Sequence, residues 1–195
     1  MQEGAATVDG VRHEIGRMFF VLGTQNPVEF EGTYPLPEAQ LDRFLLKVRM
    51  PHPEIEAETA LLAAAAEGRP VDGAPLAALT PVADPAGLLA ARTVIATQVR
   101  VEEKVQRYAL ALVRATRGDD ALRLGAGPRA ALGLVAAAKA LAVLRGRDFV
   151  TPDDIKEMAV PVIEHRLVVS PEAAMEGQAA ADIVERLATA VEVPR

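Results

Sequence analysis

In the stretch GTQNPVEFEGTYPLPEAQLDRF, residues 23–44, a lone amide, Asn26, follows an apolar run, and an arginine, Arg43, stands just before another. A neutral amide can donate to one group and accept from another without changing the charge of a site. A guanidinium offers a fixed fork of donors to an anion. Two such points at the ends of apolar strands look like parts of a catalytic site. A third candidate is Arg129, in Gly-Pro-Arg-Ala, within the first turn of an apolar helix. A cation is misplaced at the positive end of a helix dipole, so its presence there hints at an anionic partner. Plainer readings stand beside these. Asn26-Pro27 could simply end a strand, Arg43 could pair with Asp42 or Glu38 on the surface, and Arg129 could be solvated. The acidic cluster Glu29, Glu31 and Glu38 reads as a solvated or subunit-facing loop rather than a metal site, and no metal ligand is assigned.

Bulk composition excludes several other chemistries. The 195 residues contain no cysteine, which removes disulfides, thiolate metal sites and a cysteine nucleophile. The three histidines, His13, His52 and His165, lie too far apart in sequence to suggest a zinc site. A formal charge of -6 argues against nucleic acid as a partner, because phosphate backbones are bound by concentrated positive surface. No apolar run is long enough to span a bilayer, and MQEGAATVDG is not a signal peptide, so a cytoplasmic protein is expected.

The elements that must position these residues fall into two parts. ATVDGVRHEIG reads as a hairpin around Asp9-Gly10. RMFFVLG and FLLKVRM read as buried strands, with a short helix from Pro37 between them. From Pro53 onward helices dominate. PEIEAETALLAAAAEG stops at Gly68, and a Pro/Gly-rich connector follows. Further helices begin near Asp84-Pro85 and cover VEEKVQRYALALVRATRG. GPRAALGLVAAAKALAVLRG is apolar nearly all round, the mark of a central buried helix. VTPDDIKEMAVPVIEHRL carries Thr151 as N-cap, Pro152 at the first helical position, Asp154 for a reciprocal cap and Pro161 as a kink. EAAMEGQAAADIVERLATAVEV supplies a last helix. The fold class is therefore α+β: a strand-containing piece followed by an all-α helical region.

The apolar strand, Thr-Gln-Asn-Pro, and then Glu-Gly-Thr-Tyr-Pro-Leu-Pro-Glu-Ala-Gln-Leu-Asp-Arg-Phe together closely resemble the MoxR family of AAA+ ATPases. The C-terminal stretch GPRAALGLVAAAKALAVLRGRDFVTPDDIKEMAVPVIEHRL resembles that family's helical lid. The resemblance runs from Met1 to about Pro171. It implies that residues 1–52 are part of an α/β AAA+ core (hairpin, two core strands, arginine-finger helix) and residues 53–195 the lid. It puts Asn26 at the sensor position that orients the attacking water. Arg129 falls at the second sensor, reading phosphates in cis, and Arg43 at the arginine finger acting on a neighbouring subunit's nucleotide. A finger stabilises charge spread over the equatorial oxygens and contributes on the order of 10³ to 10⁵ in rate. The complete ATPase is then expected to use ATP and Mg²⁺, to form a ring, commonly a hexamer, and to remodel client protein complexes in a chaperone-like role. A von Willebrand A-domain protein is a further implied partner.

This sequence departs from the pattern at Gly23, at Gly127 (which replaces a capping serine) and in RHEIGR, where a proline-containing stretch is usual. The largest departure concerns G-x-x-x-x-G-K-[ST], whose amides and lysine hold phosphates. None of Lys47, Lys104, Lys139 and Lys156 follows a glycine, and no Asp-Glu pair occurs. The apolar run ending in Glu164 belongs to a capped helical segment and does not supply the acidic motif. The chain alone is accordingly expected neither to bind nor to hydrolyse ATP. It is expected to be a fragment, to be numbered partway along a longer product, or to be completed by another polypeptide. RMFFVLG and FLLKVRM would be separated by an absent strand and left with open edges. The helical part is expected to be able to fold alone. The alternative function is a non-catalytic helical module that docks onto intact AAA+ subunits.

Overall fold

The computed structural model describes residues 5–25, 36–69 and 79–194. The chain divides into two compact units, Met1–Lys47 with Leu89–Arg195, and Val48–Leu88.

In the first unit, strands β1 (Ala5–Val8) and β2 (Val11–Glu14) pair antiparallel, with Val8 opposite Val11. The two turn residues, Asp9 and Gly10, have φ of 51° and 78°. That is the left-handed geometry a two-residue hairpin requires, so the Asp-Gly signal is realised as expected. Residues 17–23 and 44–50, expected as buried strands, form no ladder. Phe20 is 77% and Leu22 83% exposed. A strand exists only through its neighbours' hydrogen bonds, and no paired neighbour is available to either segment among the described residues. The short helix α1 (Glu38–Leu41) starts after Pro37, as its sequence indicates.

The core of this unit is built by α4 (Glu103–Ala115), α5 (Pro128–Leu144), α6 (Pro152–Glu157), α7 (Ala159–Ile163) and α9 (Ala180–Ala190). α4 buries Val105, Tyr108, Ala109, Leu112 and Val113, an i, i+3, i+4, i+7, i+8 stripe. Leu112, Leu134, Ile155, Val162, Ile163, Ile183 and Val184 are fully buried. α5 packs against α4, α6 and α7 and is the central helix, as its apolar sequence suggests. It is not enclosed, however, since Leu132 and Leu144 are exposed. The lid sequence 151–167 is interrupted at Met158. Pro161 has no N–H to donate to Glu157, so α6 ends, α7 restarts, and a 3₁₀ turn follows over Glu164–Arg166. The last expected helix is two, α8 (Pro171–Met175) and α9. Between them Gly177 takes φ 80°, a left-handed stop. Strands β3 (Leu122–Leu124) and β4 (Val168–Val169) form a second antiparallel pair. At two or three residues each, they are too short to announce themselves by alternation.

In the second unit, α2 (Ile55–Ala66) ends at Gly68, φ 68°. α3 (Pro85–Gln98) begins here, where Asp84 Oδ1 accepts from Gly87 N at 2.7 Å, and its residues from Leu89 belong to the first unit. Neither α2 nor α3 buries a residue, so mutual burial of the helical part is a property of α4–α9 alone. Two small antiparallel sheets and a majority of helices make the fold of the described residues α+β.

Candidate functional site

The position of Arg129 is fixed from behind. The buried Thr116 hydroxyl, at the end of α4, donates to Val113 O at 2.7 Å and accepts from Ala126 N at 2.9 Å. Arg117 Nε donates to Ala126 O at 2.9 Å. A Cβ on Gly125 would lie 2.6 Å from Thr116 O and 2.7 Å from Arg117 Cα, so only glycine admits this approach. The loop thus delivers Gly127 as the N-cap of α5. With no side chain, Gly127 leaves the positive helix end uncapped, and Arg129 follows in the first turn.

From the other side comes the segment after α1. Arg166 is almost wholly buried and wraps its guanidinium around this segment. Its Nε donates to Asp42 Oδ1 at 3.2 Å, Nη2 to Asp42 O at 3.3 Å, and Nη1 to Leu45 O at 3.3 Å. It also donates to Phe44 O and Val162 O. Burial lowers the Arg166 pKa, the Asp42 carboxylate opposes that shift, and the nearby Arg129 charge adds to it. His165 meets Phe44 O through Nε2 at 3.1 Å, and its buried Nδ1 has no partner among the described residues. Burial chiefly lowers its pKa. Lys47 reaches the buried Glu164 at 3.7 Å and donates its backbone N–H to Pro161 O at 2.8 Å. The consecutive residues Glu164, His165 and Arg166 therefore grip residues 42–47.

These two supports meet at one open cavity of about 300 Å³. Asp42, Arg43, Arg129 and Arg166 are its charged lining, with Leu45, Leu132, Gly133 and Ala136 making up the rest. Asp42 Oδ2 accepts from Arg129 Nη1 at 2.9 Å, so each carboxylate oxygen takes one arginine. Glu38 pairs with Arg123 at 3.5 Å. The two carboxylates offered as surface partners for Arg43 are thus engaged by other arginines. Three guanidiniums against one carboxylate leave the cavity positive, able to hold an anion with bidentate oxygens. Arg43 and Arg129 are brought together here. Asn26, Glu29 and Glu31 lie outside the described residues.

Reading the sequence missed Arg166 and gave Asp42 only a surface role. A signal was present. Glu-His-Arg is set between the apolar runs Val160–Ile163 and Leu167–Val169, and charges embedded in apolar sequence need buried partners.

Comparison with known proteins bears on the family and the fold. Residues 1–46 match the ATPase family associated with various cellular activities (AAA), and residues 114–187 match the AAA lid domain. The chain is 41% identical to the uncharacterised protein YeaC of Bacillus subtilis, over all of this chain and 59% of that protein. It is 34% identical to the chaperone MoxR1 of Mycobacterium tuberculosis, again over all of this chain and 52% of the relative. The crystal structure of a candidate ATPase from Cytophaga hutchinsonii superposes with a TM-score of 0.85 at 34% identity, covering all of this chain and 60% of the other. The chain thus spans between half and three fifths of the length of these relatives. With both segments matched in sequence and the fold matched in space, the chain belongs to the MoxR-like AAA+ proteins, of which it carries a core segment and the helical lid.

Proposed function

We propose that this chain contributes the phosphate-sensing half of a MoxR-like AAA+ ATPase that couples ATP hydrolysis to chaperone-like remodelling of client protein complexes. The supporting observation is the open, uncapped start of α5, where Arg129 lines a cavity beside the Asp42–Arg43 segment that the buried Arg166 anchors. In this reading residues 1–52 belong to the core and 53–195 to the lid. Arg43 is the arginine finger, Arg129 the second sensor, and Asn26 the amide that orients water. The complete enzyme works in the cytoplasm as a ring, with a von Willebrand A-domain protein as a candidate partner.

The residues present fit part of a nucleotide. The guanidinium-lined cavity suits the phosphate chain, while the lysine loop that cradles phosphates is not in this sequence. When bound, ATP with Mg²⁺ supplies the transferable phosphoryl group. What this chain supplies is fixed positive charge aimed at the oxygens where negative charge develops, which is electrostatic preorganisation.

Two measurements test the reading. Calorimetry of the 195-residue chain is expected to show no micromolar binding of Mg-ATP, and such binding would refute the division of labour. In a single polypeptide joining a phosphate-loop AAA+ segment to this chain, Arg43→Ala is expected to lower kcat on the order of 10³-fold or more. An unchanged kcat would remove Arg43 from the machinery.

A further inference from the structure

Secondary structure does little to hold Arg43 in place. It follows the single-turn helix α1, and residues 44–50 after it form no ladder. Arg43 is exposed, so its guanidinium is aimed only as well as the backbone beneath it is fixed. That backbone is fixed from the lid. Arg166 Nη2 donates to Asp42 O at 3.3 Å and to Phe44 O, and Nη1 donates to Leu45 O at 3.3 Å. The carbonyls on both sides of Arg43 therefore end on one side chain. His165 Nε2 lies 3.1 Å from the same Phe44 O, and Lys47 N donates to Pro161 O at 2.8 Å. A buried guanidinium carries a desolvation penalty that apolar packing avoids, so Arg166 is a poor residue for adhesion alone. Its planar fork of donors instead sets direction, which a flexible ammonium or an apolar side chain does not. We propose that Arg166 is the positioning residue for Arg43, a lid side chain that fixes the backbone from which the finger reaches the neighbouring subunit's nucleotide. This rests on the reading of Arg43 as an arginine finger and adds a consequence to it. The finger is aimed by its own subunit's lid, so a displacement of the lid turns the finger.

The test uses the single polypeptide that joins a phosphate-loop AAA+ segment to this chain. Arg166→Lys keeps a cationic donor but cannot bracket the carbonyls of Asp42, Phe44 and Leu45 with a rigid fork. It is expected to lower kcat on the order of 10²-fold, the effect of an ångström-scale misplacement, and to leave KM within about twofold. In an Arg43→Ala background the same substitution should lower kcat no further, because the positioning residue then has nothing to position. A merely structural role would not depend on Arg43. Val105→Ala, in the buried face of α4 and outside the junction, is the matched destabilised control and should keep its kcat while folded. Thermal melts set the assay temperature below every transition. If Arg166→Lys does not fold, His165→Ala carries the test. It removes only the second contact to Phe44 O, and its smaller loss of kcat should likewise vanish without Arg43. The proposal is overturned if kcat stays within about twofold of the unmodified enzyme, or if the loss persists in full in the Arg43→Ala background. An Arg43→Ala variant with unchanged kcat would refute the finger reading and this inference with it. A kcat that depends on Arg43 but ignores Arg166 and His165 would refute the inference alone.

Discussion

Arg166 is a single side chain that holds a whole segment, and its removal has a cost that can be stated. Its guanidinium satisfies the carbonyls of Asp42, Phe44, Leu45 and Val162 and one carboxylate oxygen. Arg166→Met keeps the apolar stem but leaves those acceptors without a donor. Urea unfolding should show a loss on the order of 2–3 kcal/mol, because unmade hydrogen bonds to charged or buried groups carry their desolvation cost. The neighbouring His165 makes the same junction sensitive to pH. Its folded pKa is depressed, so between that value and the ordinary one near 6.5 the unfolded chain binds the proton and the folded chain does not. Stability is then full above about pH 6.5 and declines as pH falls below it. His165→Gln should flatten that decline in thermal melts between pH 5 and pH 7, and an unchanged slope would assign the effect elsewhere. Asp154 acts in a lower window. Burial would raise its pKa, but the hydrogen bonds from Arg147 at 2.6 and 2.8 Å and from Thr151 outweigh this and hold the carboxyl far below the usual carboxylate range. Its contribution is present above about pH 4 and is lost only in stronger acid.

Between elements, the site depends on how closely two backbones approach. The loop from α4 into α5 passes so near Thr116 and Arg117 that a methyl group on Gly125 would overlap backbone atoms, which cannot swing aside. Gly125→Ala should therefore destabilise by roughly 1–3 kcal/mol, as overpacking does. It should also shift the backbone amide resonances of residues 126–130 more than those of α9. Equal shifts in both would mean the strain spreads through the core and does not fall on the start of α5. Gly133 is milder, since the nearest atom to its added Cβ is Val162 Cγ1 at 3.1 Å, a side chain able to adjust. The capping box at α6 works in the opposite direction, as local chemistry that fixes an element by itself. Thr151 Oγ1 accepts from Asp154 N at 3.3 Å and Asp154 Oδ2 accepts from Thr151 N at 2.8 Å.

At the scale of the whole molecule, two apolar segments keep large side chains in solvent among the described residues. In the first unit Phe20 and Leu22 stand out in solvent, and in the second unit Met50 is 88% exposed. Apolar backbone with unpaired edges invites association. A Phe20→Ser, Leu22→Ser double variant should stay monomeric at higher concentration by light scattering than the unmodified chain. Its melting temperature should be nearly unchanged, since neither side chain belongs to the core. A large fall in melting temperature would show that these residues stabilise the isolated fold after all.

The sequence by itself determined the elements whose causes are local. Asp9-Gly10 makes a hairpin because both residues accept positive φ, Thr151-Pro152 starts a helix by capping it, and the α4 stripe declares its buried face. It also placed Arg43 and Arg129 within a family pattern. Only the tertiary structure decided what depends on distant partners. Residues 17–23 and 44–50 are strand-like in composition yet form no strand, because a ladder is a property of two segments and not of one. The junction of Glu164, His165 and Arg166 with residues 42–47 joins positions more than a hundred residues apart, and no periodicity encodes such a pairing. The cavity that brings Arg43 beside Arg129 follows from that junction. Its charges converge because a buried guanidinium had to find acceptors, and it found them on either side of Arg43.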